Sequence, residues 1–189
     1  LGGGLGQESF DLSYTSRIHF PNTFTLPVHR LDMYEKVYNF PMWKYFPTKI
    51  YYTDEELETI EKFVSQYENP VLIHTLHTHR PQYGKALSKS FWYWFLNRYP
   101  EYNFIQVGTK HTDYNLSLNN VIDVRGKFDI RLSGLISKFV KTHICMDSII
   151  AHMTSYTEKK GIVVWGSTTP KNYGHDININ FHSGRKGVK

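Results

Sequence analysis

The stretch Asp147-Ser148-Ile149-Ile150-Ala151-His152 brings a carboxylate, a hydroxyl and an imidazole close together. The apolar run Thr142-His143-Ile144-Cys145-Met146 precedes it and reads as a buried strand. Gly161-Ile162-Val163-Val164-Trp165 follows, running into the loop Gly166-Ser167-Thr168-Thr169-Pro170. Strand, capping residue, helix and second strand make a βαβ unit. Such a unit sets a helix N-terminus at the carboxyl edge of a parallel sheet, where free amide N–H groups and the helix dipole suit a phosphate. A helix over 148–157 would carry Ser148 and His152 four apart on one face. A diphosphate bearing a polyhydroxylated group fits this chemistry.

The elements that must hold these residues can be read from periodicity. Thr53-Asp54-Glu55-Glu56 is a capping box opening a helix to about residue 67, with Leu57, Ile60, Phe63 and Val64 at helical spacing. Asn69-Pro70 ends it, and 71–74 is a short apolar strand. A helix is expected over 88–98, with Phe91, Trp92, Phe95 and Leu96 inward, then strands at 102–107 and 121–124. Residues 130–140 read as helix, 162–165 as strand, and 177–180 as a last short strand. Continuously apolar strands alternating with helices predict an α/β fold, a Rossmann-like parallel sheet covered on both faces. Residues 1–50 are irregular, 51–182 form the binding domain, and 183–189 are a basic tail.

In such a sheet, ligands occupy the crevice beyond the carboxyl ends of the strands. The first strand leads to His74, Thr75, His77, Thr78, His79, Arg80 and Lys85. The second leads to Gly108, Thr109, Lys110, His111 and Asp113. The strand at 162–165 leads to Gly166, Ser167, Thr168, Thr169 and Lys171. Hydroxyls, cations and turn backbone are what a nucleoside diphosphate requires. His74, His77 and His79 also suggest zinc, yet no Cys or carboxylate stands near them in sequence. A phosphate or sugar loop and an ordinary polar loop remain as readings. Asp147 equally reads as a helix N-cap, Lys85 as a solvated lysine and His152 as a structural histidine. No P-loop and no Ser/His/Asp hydrolase elbow is visible. The glycines of Leu1-Gly2-Gly3-Gly4-Leu5-Gly6 follow no strand and resemble a phosphate turn weakly.

Composition narrows the classes. At 189 residues, with 40% hydrophobic and 16% aromatic content, the chain can bury a core without staples. Its net charge of +5 suits an anionic partner, but Lys and Arg are too scattered for a nucleic-acid surface. The single Cys145 lies in an apolar strand and reads as a core thiol. No run of roughly 18 apolar residues marks a transmembrane helix, and no signal peptide shows at the amino end.

The quoted motifs resemble glycosyltransferase family 9, the ADP-heptose:lipopolysaccharide heptosyltransferases. The family's "D-[ST]-G-x-x-H" is similar to 147–152, and its "G-T-P-x-V-x-L-F-G-x-T-x-P" to the stretch ending Trp165-Gly166-Ser167-Thr168-Thr169-Pro170. Its "K-x-W-P-x-x-x-W-x-x-L" is similar to 85–95, matching at Lys85 and Trp92, with Leu87 and Ser88 in place of Trp and Pro. His29-Arg30-Leu31-Asp32-Met33-Tyr34 is similar to the interdomain "H-x-x-D-x-Y". The resemblance spans roughly 28–175.

It implies the C-terminal, donor-binding domain of a two-domain GT-B enzyme. Thr75, Thr78 and Lys85 would contact a diphosphate, Ser148 a phosphate, and Asp147 sugar hydroxyls, with His152 supporting sugar or phosphate. Gly108, Asp113 and Phe128 would face the nucleoside, and Gly166, Ser167 and Thr168 would lie near the donor. The family transfers with inversion and without metal or other cofactor, from a nucleotide-diphosphate sugar to a glycan or glycolipid. A cytoplasmic site, with peripheral attachment to the inner face of the membrane, goes with such an acceptor. Two departures stand out. Ile149 replaces the motif's Gly, and the acceptor domain is nearly missing. Leu1 to Gln7 offers only a remnant of its "G-x-G-D" loop, with Gln7 where the general base belongs and Glu8 or Asp11 as substitutes. The chain alone is therefore expected to bind a nucleotide-sugar and transfer poorly. A non-catalytic nucleotide-sugar-binding module, or another GT-B-like enzyme such as a sugar-nucleotide epimerase, are the competing readings.

Overall fold

The computed structural model describes residues 49–75, 85–111 and 113–182. Among these residues twelve short elements follow one another. They are α1 (Asp54–Val64), β1 (Pro70–His74), α2 (Lys89–Arg98), β2 (Asn103–Gln106), β3 (Val121–Asp123), α3 (Ile130–Phe139), β4 (Thr142–Met146), α4 (Ile149–Thr154), a 3-10 turn (Ser155–Thr157), β5 (Ile162–Trp165), α5 (Pro170–Tyr173) and β6 (Ile179–His182). The six strands form one sheet in the order β3-β2-β1-β4-β5-β6, every neighbour parallel. The order reverses between β1 and β4, the topological switch point of a doubly wound sheet.

Period-two alternation splits the core into two layers. Leu72, Ile105, Cys145 and Val163 face one side and meet Ile60 and Val64 of α1, Leu135 and Ile136 of α3, and Ile150 and Ala151 of α4. Val71, Ile73, Phe104, Met146 and Val164 face the other and meet Trp92 and Leu96 of α2. Both faces of the central strands are thus dry, which is why their sequences are continuously apolar rather than alternating. Burying each such side chain contributes roughly 1.5–3 kcal/mol. The Cys145 thiol sits in the first layer, and burial pushes its pKa up, so it behaves as a small apolar side chain.

The expected elements are present, with five differences. The capping box is formed, Thr53 accepting from Glu56 N and Glu56 accepting from Thr53 N, but α1 stops at Val64. The expected helix over 148–157 is an α-helix of 6 residues followed by a 3-10 turn. Its N-cap is Ser148, not Asp147. The last strand lies at Ile179–His182, two residues later than periodicity suggested, because Asn178 N bonds back to His175 O and delays pairing with β5. The short α5 has no counterpart in the sequence periodicity. Pro170 at its first turn and Thr169 before it are the start signal that the Gly/Ser/Thr loop obscured.

Candidate functional site

A cleft of about 380 Å³ opens at the carboxyl edge of the sheet, over the gap between β1 and β4. Its walls include His74, Lys85, Gly108, Asp113, Phe128, Ile130, Asp147, Ser148 and Ile149. Each arrives by a local rule. β1 ends in His74 and β4 in Met146, so their next residues must turn out over the edge together. Asp129 caps α3 by accepting from Leu132 N, which sets Phe128 and Ile130 on the opposite wall.

Lys85 Nζ stands 2.8 Å from Asp147 Oδ2. Asp147 is buried, and it also accepts from the Thr168 hydroxyl. Its own amide donates to Val164 O, which ties it to β5. One half-buried cation therefore sits against a fixed carboxylate at the mouth, in a place where an arriving anion could share it.

A second chain of polar groups lies behind. His74 is buried, with Nδ1 at 2.9 Å from Ser148 Oγ and Nε2 at 3.3 Å from Asp113 Oδ1. Asp113 is held in turn by Thr109 N at 2.9 Å on Oδ2 and by the Thr75 hydroxyl at 3.4 Å on Oδ1. Gln106 Nε2 donates to Thr75 Oγ1 and to Tyr114 O. Desolvation lowers the pKa of His74, and the nearby Asp113 charge opposes that fall without overcoming it.

Two features of this network were not legible in the sequence. Arg125 is buried and forks onto Asp123, with Nε to Oδ1 and Nη2 to Oδ2 both at 2.8 Å. Its remaining donors reach Asp113 O and Asn115 Oδ1. It therefore clamps the loop that presents Asp113, a planar bidentate task that suits arginine. Gly108 has φ +124°, and a Cβ there would fall 2.3 Å from Asp113 Oδ2. Backbone conformation and space both require glycine.

The anticipated site residues divide accordingly. Lys85, Asp147, Ser148, Gly108, Asp113 and Phe128 share the cleft wall. Thr75 is fully buried beneath it and supports Asp113. Asp113 turns its carboxylate inward to His74. Thr168 touches Asp147 from behind, and the carbonyl of Gly166 faces His182 Nε2. Ser167, on the same loop, is half-buried. His152 does not share a wall with Ser148. Ser148 caps the helix and turns to His74, while His152 Nδ1 lies 2.8 Å from His175 Nε2. Ile149, at the motif's Gly position, is 55% exposed on the rim. Thr78, Glu8 and Asp11, with His77 and His79 of the zinc reading, lie outside the described residues. Among the described residues no group of three or more His, Cys, Asp or Glu has metal-binding geometry. Nor is any helix among them long and apolar enough to cross a membrane.

A cleft with a lysine and two carboxylates, set at the switch point of a parallel sheet, belongs to a Rossmann-like α/β fold. Solved structures extend this. The fold is similar to the ADP-heptose lps heptosyltransferase II of E. coli, with a TM-score of 0.58 and 10% identity over 70% of this chain and 44% of that one. It is also similar to a glycosyl transferase of family 9 from Veillonella parvula, with a TM-score of 0.62 and 14% identity over 84% of this chain and 50% of that one. The chain thus has a GT-B-like, heptosyltransferase-like fold and spans about half the length of the solved structures it resembles. No family model and no curated protein matches its sequence.

Proposed function

We propose that the cleft binds the diphosphate of a nucleotide-sugar, and that this chain is the donor-binding part of an inverting, metal-independent glycosyltransferase. The observation that carries the reading is the meeting of Lys85, Asp147, Ser148 and Phe128 at the switch point of a glycosyltransferase-like fold. Lys85 moves from its partner toward the diphosphate and offsets the charge that builds on the leaving group. Asp147, freed on that side, accepts from sugar hydroxyls while Thr168 keeps it oriented. Phe128 offers a flat apolar surface to the base, with Gly108 allowing close approach. The acceptor hydroxyl attacks the anomeric carbon in line with the departing diphosphate. A carboxylate takes its proton, and none of the described residues is assigned that part. The acceptor is a glycan or a lipopolysaccharide-type glycolipid, reached from the cytoplasmic face of a membrane. Because the chain spans about half of its structural relatives, binding without transfer is the expectation for it alone.

Calorimetry with ADP-, UDP- and GDP-sugars tests this directly. Lys85→Ala and Asp147→Ala should each weaken the favoured donor by about 1–3 kcal/mol, the cost of stranding a charged or hydrogen-bonded partner. Wild-type affinity in both variants would dismiss the site. Robust turnover by the 189-residue chain would dismiss the claim that it needs a further part.

A further inference from the structure

Ser148 cannot serve an anion while it serves His74. In the neutral imidazole one ring nitrogen donates and the other accepts. Asp113 accepts only, so it fixes the proton on Nε2, 3.3 Å away. Nδ1 is then the acceptor, and the one hydrogen of Ser148 Oγ points at it across 2.9 Å. The hydroxyl turns lone pairs, not a donor, toward the cleft. One of these is aimed at Ala151 N of α4, 3.5 Å away.

The charges facing the cleft create a second obstacle. Among the described residues its lining holds one lysine, Lys85, and two carboxylates, Asp113 and Asp147. Lys85 and Asp147 already face each other. The groups packed around His74 come from three sides. Asp113 and Thr109 lie in the loop after β2, Ser148 at the start of α4, and Cys145 beside it in the β1–β4 register, a thiol kept neutral by burial. None of these supplies a positive charge. Asp113, Ser148 and Cys145 offer His74 an acceptor or an apolar neighbour, which leaves the imidazole itself, among the described residues, as the group able to change sign.

We propose that His74 is a proton-linked positioning residue, and that the cleft takes up one proton on Nδ1 of His74 as it binds a diphosphate. The proton comes from solvent and no covalent bond is made or broken. Protonated His74 donates from both nitrogens, to Asp113 and to Ser148 Oγ. Ser148 then becomes the acceptor in that bond and swings its own hydrogen toward a phosphate oxygen. One event adds a charge to the cleft and reverses the polarity of the hydroxyl. Arg125, Gly108, Thr75 and Gln106 act at one remove, because they fix the carboxylate that selects the tautomer. This inference rests on the diphosphate reading above.

Free His74 is neutral at neutral pH, since burial lowers its pKa. A bound anion raises it. Affinity should therefore fall as pH rises between the two values, approaching tenfold per pH unit, and level off outside that window. The probe is a nucleotide-sugar, a diphosphate diester with no phosphate oxygen titrating near neutrality. Calorimetry in buffers of differing ionisation enthalpy should report uptake approaching one proton per ligand. His74→Gln, uncharged at every pH, should bind with no uptake and a flat profile. Long-range nitrogen-proton spectra of the wild-type chain should show the Nε2–H tautomer when free and both ring nitrogens protonated at saturation. Wild-type binding without uptake, an unchanged ring on saturation, or uptake that survives in His74→Gln would overturn the proposal while leaving the diphosphate site standing. No binding of any nucleotide-sugar at any pH would defeat the site itself, and this inference with it.

Discussion

The two edges of one sheet each hold a buried histidine, and the pair differ in what surrounds them. His143 lies near the amino end of β4, opposite Leu72. It is fully buried, and its ring nitrogens lack a well-formed hydrogen bond among the described residues, although the Asn178 side chain lies close enough to oppose part of the desolvation. Gly161, just before β5, packs against it so closely that a Cβ there would lie 2.2 Å from Nε2. His74 lies at the carboxyl end of the neighbouring strand, with an acid on one nitrogen and a hydroxyl on the other. Both pKa values are lowered by desolvation, that of His143 to about 4. A depressed imidazole thus marks burial at either edge. Function is argued only where partners on both nitrogens and an open cleft accompany it.

The largest expected effect breaks the pair at the amino edge. The unfolded chain protonates histidine near pH 6.5, whereas folded His143 stays neutral to about 4. The unfolded state therefore binds more protons in that window. Stability should be lost as pH falls from about 6.5 to about 4, by roughly 3 kcal/mol from this residue. Denaturant midpoints across that range measure it. His143→Phe should flatten much of the slope, and an unaltered slope would show that other groups govern acid sensitivity. Gly161→Ala comes next. Its methyl must displace a close-packed ring, so a loss of about 1–3 kcal/mol is expected, with nucleotide-sugar affinity unchanged. A stability equal to wild type would mean that the amino edge is not packed as described.

Much of this architecture could be read from the residues, for reasons that differ by element. β1, β4 and β5 announced themselves because a strand dry on both faces is a continuous apolar run. α1 was plain from its reciprocal cap, and α3 from apolar spacing. The gathering of Lys85, Asp147 and Ser148 followed from the rule that loops at one sheet edge converge. What failed was local or distant. α4 is shorter than its pattern predicts because Ser155, Tyr156 and Thr157 continue a polar helix pattern, while the chain tightens into a 3-10 turn. The His74–Asp113 contact joins residues 39 apart, and the Arg125 clamp reaches back to Asp113 and Asn115 through a loop. No periodicity carries such pairings. Ser148, His74 and Asp113 were each visible as candidates, and only the register of β1 against β2 and β4 aligns them.

The smallest effect sharpens the contrast from the other side. Ser148→Ala removes the hydroxyl and leaves His74 with one partner, closer to the poorly satisfied state of His143. Loss of a buried partner in a dry interior would cost about 1–3 kcal/mol. Here the histidine lines a cleft, from which water can replace the serine. The cap itself is weak, since Ala151 N stands 3.5 Å from Ser148 Oγ. A stability loss near the low end for N-caps, about 0.5 kcal/mol, is therefore expected. Chemical denaturation of the two chains measures it. A loss of several kcal/mol would place His74 and Ser148 in a sealed interior, and the carboxyl edge would then be structural in the same sense as the amino edge.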